Sequence, residues 1–108
     1  MDYVNKFEVY LDEKKVSRAT QSAYMADIQD FQVWLSGTGK PLEKAQVTDV
    51  ASYMERLSRD GKSISTQNRK LASIKSFYSF MKKAGRINTN PADDIKTQKV
   101  ERNELEFL

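Results

Sequence analysis

The stretch from Ser65 to Gly85, STQNRKLASIKSFYSFMKKAG, decides the fold. Its apolar residues recur every three or four positions, which places them along one side of an α-helix. Ser65 is a residue type that favours the start of a helix, and Gly85 is one that favours its end. We therefore predict a helix that runs to about Ala84 and buries a stripe formed by Leu71, Ile74, Phe77, Tyr78 and Met81.

The same spacing predicts three further helices earlier in the chain, over about residues 3–14, 17–35 and 48–60. Ser17 and Thr48 are the expected caps of the second and third helices, and Gly61 is the expected left-handed residue after the third. The expected buried residues of these helices are Val4, Phe7, Tyr10, Leu11, Tyr24, Ile28, Phe31, Leu35, Val50, Tyr53, Met54 and Leu57.

The connections are short and polar. Residues 36–41 combine Gly and Pro signals and form a loop, after which we expect Leu42 and Val47 to tuck back onto the core. Pro91 can start one short helical turn over residues 92–95. No strand pattern occurs, so the chain is predicted to be all-α, a compact four-helix bundle over residues 1–97. A polar linker follows over residues 98–108.

The composition excludes several classes of function. The 108 residues include no Cys and no His, which excludes disulfides, thiolate metal sites and imidazole acid–base catalysis. Neighbouring carboxylates such as Asp93 and Asp94 fall at turns, where solvated surface charge is the ordinary interpretation. No apolar run approaches the roughly 20 residues of a membrane helix, and the start lacks a signal-peptide pattern. We therefore expect no catalysis, no metal, no cofactor and no membrane contact, and a cytoplasmic location.

The charges are sorted along the chain, although the net charge is only +3. From Gly61 to Ala92 there are seven basic residues and no acidic residue. Most acidic residues lie in and around the first and third helices. A basic face that is separate from an acidic one suggests a nucleic acid or a membrane surface as partner.

The predicted outer side of the fourth helix is small, uncharged or basic, and it contains the main candidates for contact with nucleic acid. Hydroxyls can donate to phosphate oxygens, and Arg or Lys can neutralise phosphates or read guanine. The candidates here are Lys62, Ser65, Thr66, Asn68, Arg69, Ser73 and Lys75. An ordinary solvent-exposed face is the alternative, but such faces usually mix Glu with Lys.

The N-terminal half of the second helix repeats this pattern more weakly. The candidates for contact in and just before this half are Lys14, Arg18, Gln21 and Ser22. Ser17 and Thr20 are explained equally well by capping and packing. The second half of the helix carries Asp27 and Asp30, so any contact with a polyanion is expected in the first half.

These helices and the turn after them carry a family resemblance. Residues 17–35 follow the pattern S-x-x-T-x-x-x-Y-x-x-x-(I/L)-x-x-F-x-x-x-L, residues 66–78 follow T-x-x-R-x-L-x-x-(I/L)-(R/K)-x-F-Y, and residues 85–91 follow G-x-I-x-x-N-P. In their order and spacing, the motifs resemble the core-binding, SAM-like domain of phage integrases and of XerC/XerD-type tyrosine recombinases. Residues 105–108 resemble the segment that leads into the catalytic domain of that family.

The resemblance implies a domain that clamps double-stranded DNA, with its second and fourth helices facing the major groove. It also implies a catalytic domain in the same chain, cleavage and rejoining of DNA by the whole enzyme, and homo- or hetero-tetramers on DNA. The family's catalytic residues belong to that other domain, so none is assigned here. Lys75 stands where the family often has Arg, which keeps the phosphate charge but loses bidentate geometry.

Two other interpretations remain open. A helical protein-interaction module without nucleic-acid binding is disfavoured by the acid-free fourth helix. A helix-turn-helix repressor is disfavoured by the long predicted helices and by the long loop over residues 36–46, since that fold joins short helices by a tight turn.

Overall fold

A computed structural model describes residues 3–98 of the chain. These residues form four helices, α1 (Tyr3–Glu13), α2 (Arg18–Ser36), α3 (Val47–Arg59) and α4 (Ile64–Lys83), with a 3₁₀ turn at Leu42–Lys44 between α2 and α3. Over this range there is no strand, which confirms the all-α prediction. None of these helices is long and apolar enough to cross a bilayer. Apart from Gln98, the predicted linker, including the family-like residues 105–108, lies outside the described residues.

Helix α4 is the centre of the bundle, because it packs against each of the other three helices. Its Phe77 meets Phe7 of α1 edge to face, with ring centroids 5.3 Å apart. The hydroxyl of Tyr78 donates a 2.7 Å hydrogen bond to the carbonyl of Leu42, which ties the 3₁₀ turn to the core. Leu42 is buried, as predicted. The apolar stripe predicted for α4 is buried over its whole length.

Helices α2 and α4 begin with the same serine cap. The Oγ of Ser17 accepts a 3.2 Å hydrogen bond from the N–H of Thr20, as predicted. The Oγ of Ser63 accepts a 3.1 Å bond from the N–H of Thr66. The prediction that Ser65 caps α4 was wrong, because the helix begins at Ile64 and Ser65 lies inside its first turn.

The start of α3 also differs from the prediction. The helix begins at Val47, and the preceding Gln46 donates its backbone N–H to the Asp49 carboxylate at 2.8 Å. Thr48 therefore lies inside the first turn and is not the cap. Val47 does not tuck back onto the core, because as the first helical residue it stays 48% exposed.

Besides Gly39 in the loop after α2, which has a φ of 83°, three turns use left-handed backbone. Gly61 has the predicted positive φ, at 80°, and Gly85 has a φ of 75°. The third is at Lys15, whose φ of 60° is unusual for a residue with a side chain. There the N–H of Val16 bonds to the carbonyl of Leu11 and closes the end of α1. Neither spacing nor residue type predicts a left-handed residue at this position.

After Gly85 the chain returns along the side of α4. The side-chain amide of Asn90 donates to the carbonyl of Lys75 at 3.1 Å, and its oxygen accepts from the N–H of Ala92 at 2.9 Å. Ala92 is fully buried. Residues 92–95 form the single turn predicted there, closed by a hydrogen bond from the N–H of Ile95 to the carbonyl of Ala92, without becoming a helix.

The segment over residues 86–98, called the return segment below, ends beside the first turns of α4. The side-chain amide of Asn68 donates to the carbonyl of Gln98 at 2.8 Å, and its oxygen accepts from the N–H of Gln98 at 2.9 Å. The Gln98 side chain also donates to the side-chain oxygen of Gln67 at 2.6 Å. Three hydrogen bonds therefore hold this segment against the helix.

Candidate nucleic-acid interface

A buried carboxylate, that of Asp27, lies in the seam between α2 and α4. Its side chain is 1% exposed, yet it accepts hydrogen bonds from three residues of α4. Arg69 donates from Nε at 3.1 Å and from Nη2 at 2.8 Å, each to a different oxygen. Ser73 donates from Oγ at 2.7 Å, and Lys70 donates from Nζ at 3.2 Å.

The donors around Asp27 keep it ionised. Burial raises the pKa of the Asp27 carboxyl, but hydrogen bonds from Arg69, Ser73 and Lys70 outweigh burial and hold the pKa below its ordinary value of 3.8. Burial lowers the pKa of Lys70, but contacts with Asp30 and Asp27 outweigh it, so the pKa of Lys70 is raised. The hydrogen bond to Asp27 raises the pKa of Arg69. Asp27, Lys70 and Arg69 are therefore all charged at neutral pH.

One predicted contact residue, Ser73, lies in the seam between α2 and α4. Ser73 is fully buried and donates to Asp27, so its predicted place on the outer side of α4 was wrong. A small hydroxyl at that position completes the shell of donors around the carboxylate. Lys70 is also buried, at 8% exposure, and it bridges Asp27 to Asp30.

Arg69 lies at the surface although it is bonded to a buried partner. Its side chain is 50% exposed. Two of its five N–H donors are used by Asp27, and within residues 3–98 no hydrogen bond engages the other three. Replacing Arg69 would therefore disturb a buried ion pair, and Arg69→Ala is expected to affect stability as well as binding.

The outer side of α4 is free of acidic residues along its whole length. Ser65 and Arg69 are exposed on it, and Lys62 is exposed just before the helix. Lys75 is partly exposed on one shoulder. Within residues 3–98, neither Lys62 nor Lys75 forms a salt bridge, so their charges are available to a ligand.

Two candidates on α4 are already engaged. The hydroxyl of Thr66 accepts a 3.0 Å hydrogen bond from Ser63, and Thr66 is only partly exposed. The side-chain amide of Asn68 is hydrogen-bonded to both the carbonyl and the N–H of Gln98. Contact of Asn68 with another ligand would require release of the return segment.

The candidates near the start of α2 are not equally placed. Ser22 is exposed. Gln21 is partly buried and donates its side-chain amide to the carbonyl of Val16 at 2.8 Å, an interaction that Gln67 repeats with Lys62 at the start of α4. Gln21 is therefore part of a helix cap.

Arg18 and Lys14 lie on the α1 side of the bundle. Arg18 lines an open groove of about 280 Å³ together with Glu8 and Asp12 of α1. The two acidic side chains therefore reduce the positive potential around Arg18. The ammonium of Lys14 lies 5.3 Å from the centre of the Tyr10 ring. Both cations are exposed, but the structure does not place either one in contact with the Asp27 seam.

The acidic residues of α3 are paired locally. Asp49 bonds to Lys40 at 2.8 Å, and two pairs one turn apart on the helix join Arg56 to Asp60 and Arg59 to Glu55. Because these acids have their own partners on or next to α3, they do not neutralise the lysines around α4.

The sequence contained a signal for the Asp27 seam that the periodicity argument passed over. Tyr24, Ile28 and Phe31 define the buried stripe of α2, and position 27 falls on the same stripe. Lys70 falls in the same way on the stripe of α4, between Gln67 and Leu71. An acid and a base that both fall on buried stripes of neighbouring helices predict a buried ion pair.

A comparison with protein-family models matches residues 4–85 to the model described as phage integrase, N-terminal SAM-like domain. The match covers α2, α3, α4 and all of α1 except Tyr3. No solved structure gives a significant match. Among the residues that the structure describes, no cluster of acidic side chains could hold a metal ion.

Curated relatives are tyrosine recombinases. A XerC tyrosine recombinase of Chlorobaculum tepidum is 32% identical over 98% of this chain and 34% of its own length. A XerC tyrosine recombinase of Pelobacter propionicus is 32% identical over 94% of this chain and 34% of its own length. A XerD tyrosine recombinase of Agrobacterium fabrum is 30% identical over 82% of this chain and 27% of its own length. The chain thus spans about a third of the length of these relatives.

Proposed function

Because this chain belongs to the family of phage integrase N-terminal, SAM-like domains, we propose that it is the DNA-binding domain of a site-specific tyrosine recombinase. It contacts double-stranded DNA with the outer side of α4 and the exposed N-terminal half of α2. The observation that carries this proposal is that α4 contains no acidic residue, while Lys62 before it and Lys75 on its shoulder form no salt bridge within residues 3–98.

The distribution of ion pairs supports a surface for a polyanion. Two acids of α2 bond to residues of α4: Asp27 is buried, and Asp30 bonds to Lys70 at 3.0 Å. The acids of α3 are paired locally. A phosphate backbone that approaches α4 therefore meets Lys62, Arg69 and Lys75 without a nearby free carboxylate on that helix.

The small side chains of the outer side allow a close approach. Ser65 lies one turn before Arg69 and is exposed, and small or basic residues follow at Ala72, Ser76 and Lys83. Short hydroxyl side chains donate to phosphate oxygens and do not hold the helix away from the duplex. We expect two to four phosphate contacts, a salt slope of about −2 to −4, and a dissociation constant in the micromolar range or weaker.

The activity proposed for the whole protein is wider than that of this chain. By its family, the parent protein would cut and rejoin DNA in the cytoplasm, with the catalytic residues in a separate domain of the same chain and with tetramers assembled on paired sites. The bundle over residues 1–97 would be the DNA-binding domain, and residues 98–108 would form the linker toward the catalytic domain.

A titration with duplex DNA tests the proposal. With ¹⁵N-labelled protein at low salt, we expect amide shift changes to cluster in residues 62–75 and 14–22. Shift changes confined to α1 and α3, or no binding, would contradict the proposal. Changes confined to α1 and α3 on addition of a protein partner would instead favour a protein-interaction module.

Charge reversal provides a matched control. Lys62→Glu and Lys75→Glu should each weaken binding, because each residue is a cation beside or on α4 that forms no salt bridge with the part of the chain that the structure describes. Lys44→Glu makes the same change in charge at an exposed site next to α3 and should have a much smaller effect. Equal effects of all three substitutions would mean that only net charge matters, which would overturn the assignment of the surface.

A further inference from the structure

We infer that Asp27 is a positioning residue, which holds the guanidinium of Arg69 in the orientation that binds a phosphate of the DNA backbone. This inference rests on the proposed function. It gives a buried acidic residue a role in binding a polyanion, although its charge alone would oppose that binding.

The geometry of the pair carries the inference. Two N–H groups of Arg69 bond to the two oxygens of Asp27, at 3.1 Å from Nε and 2.8 Å from Nη2. A two-point contact of this kind fixes both the plane and the rotation of a guanidinium. The guanidinium keeps three further N–H groups, on Nη1 and Nη2, and the side chain is 50% exposed.

The carboxylate is itself held in place. Ser73 and Lys70 bond to Asp27 from the same helix that carries Arg69, and burial leaves the Asp27 side chain 1% exposed. An immobile carboxylate reduces the rotamer freedom that Arg69 would otherwise lose when it binds a ligand. Lys62 and Lys75, which have no partner of this kind within residues 3–98, lose that freedom on binding.

Charge and position predict opposite results for one substitution. Asp27→Asn removes a negative charge near the DNA, which by charge alone should strengthen binding and leave the salt slope unchanged or steeper. An asparagine amide has one oxygen and one NH₂ group, so it cannot offer Arg69 two separate oxygen acceptors. If Asp27 positions Arg69, the same substitution should weaken binding in spite of the gain in positive charge.

Asp30→Asn is the matched control. Asp30 lies one turn further along α2, its side chain is 64% exposed, and it bonds to Lys70 and not to Arg69. The substitution removes the same charge without touching the guanidinium. It should leave DNA affinity unchanged or increase it slightly.

The experiment measures binding of a short DNA duplex by the wild-type chain and both variants over a range of salt concentrations. Circular dichroism at the same temperature checks that each protein is folded. We expect Asp27→Asn to weaken binding about fivefold, the equivalent of one lost hydrogen bond. The magnitude of its salt slope should fall by about 0.9, the equivalent of one lost phosphate contact.

The outcomes separate the two proposals. If the wild-type chain does not bind duplex DNA, the proposed function fails. If it binds, and Asp27→Asn strengthens binding as much as Asp30→Asn does, the positioning role is refuted while the DNA-binding function stands.

A second variant covers the case in which Asp27→Asn does not fold. Arg69→Lys keeps the charge and can still reach Asp27, but an ammonium cannot make the two-point contact. The same loss in affinity and salt slope is expected. Wild-type affinity in Arg69→Lys would mean that the orientation of the side chain is irrelevant.

Discussion

The N-cap of α4 is Ser63 and not the predicted Ser65, and this assignment can be tested directly. In Ser63→Ala, the N–H of Thr66 loses its acceptor at 3.1 Å, and the Thr66 hydroxyl loses its bond at 3.0 Å. Loss of an N-cap serine costs about 1 kcal/mol. Since α4 packs against every other helix, this cost should appear in the global free energy of unfolding.

Urea denaturation followed by circular dichroism measures the cost. With an m-value of about 2 kcal/mol/M, a loss of about 1 kcal/mol lowers the midpoint by about 0.5 M at unchanged m. Ser65→Ala is the control. It places a better helix former at an exposed site in the first turn, so it should be neutral or stabilising by up to roughly 0.5 kcal/mol. A larger loss in Ser65→Ala than in Ser63→Ala would refute the position of the cap.

Three further predictions concern stability and local structure. The stabilisation from Asp27, whose pKa is lowered on folding, is present at neutral pH and is lost as the pH falls below about 4, through the lowered pKa; thermal midpoints between pH 7 and pH 2 should therefore fall more steeply for the wild-type chain than for Asp27→Asn. Tyr78→Phe removes the 2.7 Å hydrogen bond to the carbonyl of Leu42, which keeps its bond from the N–H of Ala45, and should cost about 0.5–1.5 kcal/mol in urea denaturation. Tyr24→Phe, at a partly exposed site, should cost less than about 0.5 kcal/mol. Asn68→Ala should remove the protection of the Gln98 amide against hydrogen exchange and leave that of the Ala92 amide, which bonds to Asn90, unchanged; protection of Gln98 that persists would show that another group holds the segment.

Helical periodicity predicted the core of this protein well. The buried stripe of α4 and the buried residues Phe7, Ile28, Phe31 and Leu35 were all confirmed. The family resemblance drawn from three motifs was also confirmed. Apolar residues at helical spacing leave few alternatives, because they must face the same interior.

Polar positions were predicted less well, because a helical wheel gives the direction of a side chain and not its neighbours. Ser73 is about 100° from the centre of the α4 stripe, and an isolated helix would expose it there. It is buried because α2 packs on that side and brings Asp27 to it at 2.7 Å. The place of Ser73 therefore depends on which helix is the neighbour, which periodicity within one helix does not contain.

The cap of α4 shows a second limit. Ser63 and Ser65 are both acceptable caps by residue type, and the choice depends on which of them is followed by a correctly placed partner. The sequence S-x-x-T-Q occurs at both residues 17–21 and residues 63–67, and in both places the serine caps the helix and the glutamine bonds back to the preceding turn. This repeat would have identified Ser63, since Ser65 lacks it.

The return segment has a practical consequence for handling the protein. Tyr3 lies near Arg86, with the ring centre 6.0 Å from the guanidinium, so the start of the described chain is near the far end of α4. Gln98 lies beside Asn68. Asn68 comes 15 residues before Lys83, the last residue of α4, which places it about 22 Å back along the helix. A purification handle or fluorophore fused ahead of Tyr3 would leave the beginning of α4 open, whereas the same label fused shortly after Gln98 would crowd it.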